Sequence, residues 1–282
     1  MAILQGKNNS MNTPILSTQA LSELLGSPSL RIIDVRPKPK EGQVPYENGH
    51  IPGAIHFCLE TVLSGPSGPG RHPLPDPRVF ASHLEAAGIG ENCNVVCYDD
   101  ASGAYAARLW WMLDNLGLDS VAVLDGGYAA WLAAGGDEEQ HASTYEAATW
   151  NLFENRNPTY DKDALRADLS SFHILDARAA ERYRGETEPI DAIAGHIPSA
   201  VSVPFAGNLE NGRFRSKEEL LERFSALVPN DGKPVVHSCG SGVTACHNIL
   251  AMRIAGLGRK ALYPGSWSDW SSSGFPVETG EG

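Results

Sequence analysis

The chain repeats itself at the scale of a domain. The segment "LRIIDVRPKPKEGQVPYENGHIPGAIHF" (30–57) returns as "FHILDARAAERYRGETEPIDAIAGHIPSAVSVPF" (172–205). The segment "VVCYDDASGAYAARLWWMLDNLGLDSVAVLDGGYAAWLAAG" (95–135) returns as "VVHSCGSGVTACHNILAMRIAGLGRKALYPGSWSDWSSSG" (235–274). From Gly103 and Gly242 onward a single offset pairs Gly126 with Gly265, Trp131 with Trp270 and Gly135 with Gly274. A repeat this long is a whole folding unit rather than one turn of a solenoid. Two tandem domains are therefore expected, at 12–137 and 158–282, joined by a polar, non-periodic linker at 138–157 that wraps along the surface.

Each half alternates short β-branched runs ("LRIIDV", "NVVCY", "SVAVLDG") with helical patterns such as "AYAARLWWMLDNLG". That alternation predicts an α/β fold, a mostly parallel β-sheet flanked by helices in each domain. Gly117 and Gly256 fall where helices would end. With 282 residues, 42% hydrophobic and 20% charged, the chain has the material for two cores of ordinary size. No run approaches the roughly 18 apolar residues of a membrane span. The opening "MAILQGKNNSMNTPILS" lacks the pattern of a signal peptide, so a cytoplasmic location is expected. Five cysteines, an odd number without Cys-x-x-Cys spacing, make neither a disulfide framework nor a zinc site. A net charge of −12 argues against nucleic acid or an anionic membrane as partner. Any anion site must be built locally.

One cysteine stands apart. Cys239 follows the apolar pair Val235-Val236 and precedes the helical run "TACHNILAMRIAG", which places it on a strand-to-helix loop, where ligands gather in open α/β sheets. The loop "CGSGVT" reads as an anion cradle: Gly240 and Gly242 tolerate dihedrals that turn successive amides inward, and a helix N-terminus lies beyond. Such a setting favours negative charge on sulfur. The thiolate could attack a donor's sulfur and hand it on from a persulfide, with amides from Gly240 through Ser241, Gly242 and Val243 to Thr244 stabilising anionic sulfur. That chemistry needs no metal and no organic cofactor. Cys58, Cys93, Cys97 and Cys246 lack the setting and read as packing residues.

On these residues the chain resembles the two-domain rhodanese family of sulfurtransferases, from about Ile15 to Val277, with "GHIPGA" and "GHIPSA" marking the two halves. The loop "CGSGVTA" is similar to the branch that uses 3-mercaptopyruvate; thiosulfate-preferring members carry basic residues directly after the cysteine. The resemblance implies a catalytic second half with a Cys239 persulfide and a non-catalytic first half, where Asp99 stands near the matching position. It also implies transfer of sulfane sulfur from 3-mercaptopyruvate to a thiol or cyanide acceptor, thioredoxin among the candidates. A relay of Ser241, His72 and Glu60 carries over, although the family usually has Asp at the Glu60 position. The bland readings are a helix-capping Ser241, a surface His72 and a solvated Glu60.

A donor carboxylate needs a cation, and "ERYRGE" offers Arg182 and Arg184, of which Arg182 matches the substrate-binding arginine of the family. A second arginine that the mercaptopyruvate branch generally carries shortly downstream is absent from "ETEPIDAIAGHIP". His50 and His196 occur in both halves and read as architectural, as do Trp131 and Trp270. A cysteine phosphatase would need arginine six positions after Cys239, where Ala245 stands. A papain-like hydrolase would need His237 or His247 as base. Thiosulfate:cyanide transfer is the nearest alternative activity, and a non-catalytic sulfur-relay or partner-binding module is the alternative of another class.

Overall fold

A computed structural model of the chain describes residues 11, 13–37, 45–66 and 70–281. Asn12 and Gly282, the outer bounds expected for the halves, lie outside the described residues, as does most of the amino-terminal stretch. The first half runs β1 (Ile15–Leu16), α1 (Thr18–Leu24), β2 (Leu30–Asp34), β3 (Ala54–His56), α2 (Pro77–Ala86), β4 (Asn94–Tyr98), α3 (Ala106–Leu116), β5 (Val121–Leu124) and α4 (Gly127–Ala133). Its strands form one parallel sheet in the order β1-β5-β4-β2-β3.

The second half repeats the plan with α5 (Lys162–Ala167), β6 (His173–Asp176), α6 (Ala180–Tyr183), β7 (Val201–Ser202), β8 (Leu209–Glu210), β9 (Arg213–Phe214), α7 (Lys217–Leu227), β10 (Val235–Ser238), α8 (Ala245–Ile254), β11 (Ala261–Leu262) and α9 (Ser266–Ser272). Its parallel sheet has the order β11-β10-β6-β7. The expected α/β architecture is thus present in both halves. Strand β10 is buried along its whole length, as a parallel strand covered on both faces must be.

Strands β8 and β9 form an antiparallel ribbon that the sequence reading did not anticipate. They are joined by Asn211 and Gly212, both left-handed (φ 51° and 76°), the conformation an Asn-Gly hairpin turn requires. The ribbon leans across onto the first half, where Phe214 N–H donates to Asp125 Oδ1 at 2.9 Å, while the Phe214 ring stacks on His247 of its own half.

The halves meet chiefly through α3 and α8, and one apolar cluster runs from Leu63, Trp111 and Leu116 to Cys246, Ile249 and Leu250. Helix α8 is buried from Ala245 to Met252, the pattern of a helix enclosed on all sides. Residues 138–157 wrap the first half. Tyr145 Oη donates to Gly53 O at 2.8 Å, the Trp150 amide donates to Glu85 Oε1 at 3.0 Å, and the Trp150 ring joins the core.

His50 and His196 occupy equivalent places. Each is fully buried, stacks on a tyrosine (Tyr46 at 3.9 Å, Tyr183 at 3.8 Å) and sets its Nδ1 2.8 Å from that tyrosine's carbonyl. The same duplication holds Arg36 on Asp34 and Arg178 on Asp176, each arginine also donating to the glycine before the repeated histidine (Gly49 and Gly195, both at 2.7 Å).

Candidate active site

Cys239 lies one residue past the carboxyl end of β10, on the loop that opens α8, with 1% of its surface exposed. Its backbone is clamped from the start of α9. The Cys239 N–H donates to Ser266 Oγ at 3.1 Å, and that hydroxyl donates to Tyr263 O at 2.8 Å. The amides of Trp267 and Ser268 donate to the carbonyls of Cys239 and Gly240, both at 2.9 Å. Ser266 holds this position at φ 52°, a left-handed conformation that costs a side-chain-bearing residue about 1–3 kcal/mol.

Gly242 has φ 74°, and a Cβ there would collide with Pro264 O, so the expectation of glycine-only geometry holds at this position. Gly240 needs a different explanation. Its φ is not left-handed; instead a Cβ would come 2.8 Å from Arg71 Nη2 and 3.6 Å from Arg182 Nη1. A side chain there would have to displace a guanidinium rather than fight the backbone dihedral. Val243 is buried, and Thr244 stands at the N-cap of α8 without a side-chain capping bond.

The equivalent loop of the first half shows what such a cradle holds. Asp99, fully buried, turns its carboxylate inward and accepts four amides: Ala101 at 2.9 Å and Gly103 at 2.8 Å on Oδ1, Tyr105 and Ala106 at 2.8 Å on Oδ2. Burial pushes this carboxyl up from its ordinary value, while the amides of Ala106, Gly103, Ala101 and Tyr105 push it back down.

Across the interface, His72 Nδ1 lies 2.7 Å from Ser241 Oγ. In the tautomer protonated on Nε2, Nδ1 accepts from the serine hydroxyl. Burial, then Arg108 and Arg71, hold the imidazole below its ordinary value, while Glu60 pulls it the other way. Glu60 accepts a hydrogen bond from Cys58 Sγ at 2.9 Å and acts on His72 through its charge. Two of the three residues named for the relay, His72 and Ser241, thus meet across the halves, and the Glu60 charge is felt at His72. Arg108, fully buried in α3, ties the junction: Nη1 donates to Gly242 O at 2.9 Å and Nη2 to His72 O at 3.0 Å.

Arg182, on α6, faces Gly240 while Glu188 grips it at 2.6 Å through Nη2 and 3.3 Å through Nε, with Asp191 3.5 Å away. Arg184, the next candidate, pairs instead with Glu186 at 2.7 Å on the outer surface and makes no contact with the Cys239 loop among the described residues. His237 and His247, the bases a hydrolase would need, turn elsewhere. His237 Nε2 meets Met252 Sδ at 3.2 Å and His247 Nε2 meets Ser102 O at 3.1 Å. Burial pushes them down to about 3 and about 4. Burial likewise pushes the Cys97 thiol up, and that of Cys246 up to about 12.

Three residues at the site escaped the sequence reading: Arg71, Arg108 and Ser266. Arg71 adjoins His72 in "GRHPLP". Arg108 is a lone charge in the apolar run "AARLWWML", a signal that a buried partner must exist. Ser266 sits where the first half has Gly127, itself left-handed at φ 57°.

Comparison with known proteins follows the same division. The family model described as "Rhodanese-like domain" matches residues 17–134 and 161–273. The chain is 44% identical to a probable 3-mercaptopyruvate sulfurtransferase of Pseudomonas aeruginosa, over 95% of this chain and 98% of that one. It is 35% identical to the thiosulfate sulfurtransferase of Rattus norvegicus, over 91% of each. Among solved structures it is similar to the 3-mercaptopyruvate sulfotransferase SseA from Escherichia coli, with a TM-score of 0.79, 33% identity and coverage of 90% and 99%. With both halves matched, the chain belongs to the rhodanese family, as two tandem rhodanese-like domains.

Proposed function

We infer that this rhodanese-family sulfurtransferase takes its sulfur from 3-mercaptopyruvate and carries it as a Cys239 persulfide. The Cys239 thiolate attacks the donor's sulfur, the donor's C–S bond breaks, and its electron pair passes into the enolate of pyruvate, which takes up a proton. A nucleophile then attacks the outer sulfur and the Cys239 thiolate returns. Cyanide leaves as thiocyanate and a thiol as a persulfide; thioredoxin is a thiol acceptor to test.

The observation that carries the donor assignment is the 2.7 Å contact between Ser241 and His72. A pyruvate enolate must gain a proton, a step that the Ser241–His72 pair can assist by relaying one from solvent; sulfite, the product left by thiosulfate, needs no proton. Gly240 and Ser241 also leave the loop without the basic side chains associated with thiosulfate. The names of relatives support the same reading without deciding it, since both donors occur among them. Free, unregularly spaced cysteines support a cytoplasmic setting.

The test is steady-state kcat/KM for mercaptopyruvate and thiosulfate on one preparation. A clear preference for mercaptopyruvate is expected; preference for thiosulfate overturns the assignment. A relay module would load once and stall with small acceptors, whereas an enzyme turns over.

A further inference from the structure

We propose that the groove between α7 and α8 of the second half is a docking site for an extended, acidic segment of a partner protein, held by one aromatic side chain. The first half shows how such a groove is filled. There the linker crosses from the end of α2 to the end of α3. The Ala148 amide donates to Glu85 O at 2.9 Å, the Trp150 amide to Glu85 Oε1 at 3.0 Å, and the Glu154 amide to Leu116 O at 3.1 Å. Trp150, 3% exposed, belongs to the same apolar cluster as Leu84, Val95, Leu113, Leu118 and Val121.

The duplication carries each of these positions into the second half. Phe80 and Leu84, buried on α2, match Leu220 and Phe224, buried on α7, and the same offset pairs Val95 on β4 with Val235 on β10. The offset that pairs Gly117 with Gly256 pairs Leu113 with Met252, Leu118 with Leu257 and Val121 with Lys260. Phe224, Val228, Val235, Met252 and Leu257 line a cavity of about 590 Å³. Glu278 bridges to His196 as Glu139 bridges to His50, but the Gly280 amide then donates to Arg184 O at 2.9 Å. Among the described residues, none after Glu278 lines the cavity.

Two differences between the halves say what the occupant is. In the first, a Cβ at Gly88 would come 2.7 Å from Glu146 O and one at Gly90 3.3 Å from Thr149 O, so the glycines let the linker backbone press close. Val228 and Asn230 stand at those places in the second half, and a visitor reaches the cavity with a side chain instead. The positions of Cys93 and Val121 become Lys233 and Lys260, both at the cavity. Lys233 donates to Ser170 O at 2.9 Å, whereas Lys260 has no ion-pair partner among the described residues. Two lysines beside an apolar cavity, on a chain of net charge −12, select acidic groups locally.

The probe is the linker's own sequence as a synthetic peptide, "YEAATWNLFEN" (145–155), which holds one tryptophan and two glutamates. Labelled at its amino terminus, it is titrated with the full chain and followed by fluorescence anisotropy. Saturable micromolar binding is expected. Trp150→Ala in the peptide, or Val228→Glu in the protein, should weaken it at least about tenfold, and Lys260→Glu about threefold with a reduced salt dependence. Both protein variants should keep wild-type sulfur transfer, because neither residue touches the Cys239 loop. Thermal melting reports folding, and Lys260→Glu with the salt dependence decides the matter if Val228→Glu melts early. Absence of saturable binding to the wild type overturns the proposal. Binding untouched by Val228→Glu and Lys260→Glu does so too, since the peptide would then sit elsewhere, such as in place of the linker on the first half. A wild type that sediments as a dimer, with Val228→Glu a monomer, gives the groove to a second copy and overturns the partner.

Discussion

The loop after β4 and the loop after β10 occupy equivalent places in the two halves, yet one is closed on itself by a carboxylate and the other carries a thiol. In the first, Asp99 fills its own cradle and four amides are consumed by a carboxylate of the same chain. In the second, Cys239 stands at the matching position, clamped by Ser266 and Trp267, with Ser241 turned to His72. The carboxylate acts as a built-in model of the anion such a loop holds, and a carboxylate cannot carry sulfane sulfur. One fold has been used twice, with a carboxylate in one cradle and a thiol at the matching place in the other. The first half still reaches the Cys239 loop, because His72 meets Ser241 and Arg108 donates to Gly242 O.

The comparison breaks most sharply at Cys239. Cys239→Ser should abolish transfer while leaving melting unchanged, since a hydroxyl neither ionises at neutral pH nor forms a persulfide. Adding Asp99→Cys to that variant should restore nothing, because no Ser241–His72 pair stands beside residue 99; activity with either donor would show that the two loops are chemically equivalent. The next effect falls on stability. Asp99→Ala strands four amides in a dry loop and should cost about 3 kcal/mol, read as a lower denaturant midpoint, against almost nothing for Cys239→Ala.

A slightly smaller effect separates the donors. Ser241→Ala and His72→Ala should each depress mercaptopyruvate turnover about 100-fold and thiosulfate turnover much less. Equal losses with both donors would reduce the hydroxyl to shaping the loop. Smallest is the pH effect. His72 is held below its ordinary value, so it is neutral at pH 7 and protonates only as pH falls below 6.5. Protonation removes the acceptor that faces Ser241. The acid limb of kcat with mercaptopyruvate should therefore lie below pH 6.5 and vanish in His72→Ala; a limb at higher pH, or one that survives the substitution, assigns it to another group.

Much of this was legible in the sequence because it is local or repeated. The duplication predicts two α/β units, and the run from Val235 to Gly242 places a thiol on a strand-to-helix loop without any knowledge of the partner half. Ser241 and His72 emerged through the family resemblance, since nothing in their own surroundings links residues 169 positions apart. Arg71 and Arg108 stayed hidden for a related reason. An arginine's meaning lies in what faces it, and here that is the Gly240–Gly242 backbone of the other half. Arg184 shows the opposite case: sequence proximity to Arg182 suggested a shared role, whereas just past the end of α6 it pairs with Glu186. At Gly240 the sequence suggested dihedral freedom, whereas the structure shows crowding by a guanidinium.

The central claim is that sulfur resides on Cys239 and on no other thiol of the chain. Peptide-resolved mass spectrometry after brief treatment with mercaptopyruvate, without acceptor, tests it directly. The account predicts a gain of about 32 Da, one sulfur atom, on the peptide containing Cys239, lost on adding cyanide or a thiol. Added sulfur on Cys58, Cys93, Cys97 or Cys246 with Cys239 unmodified would contradict it.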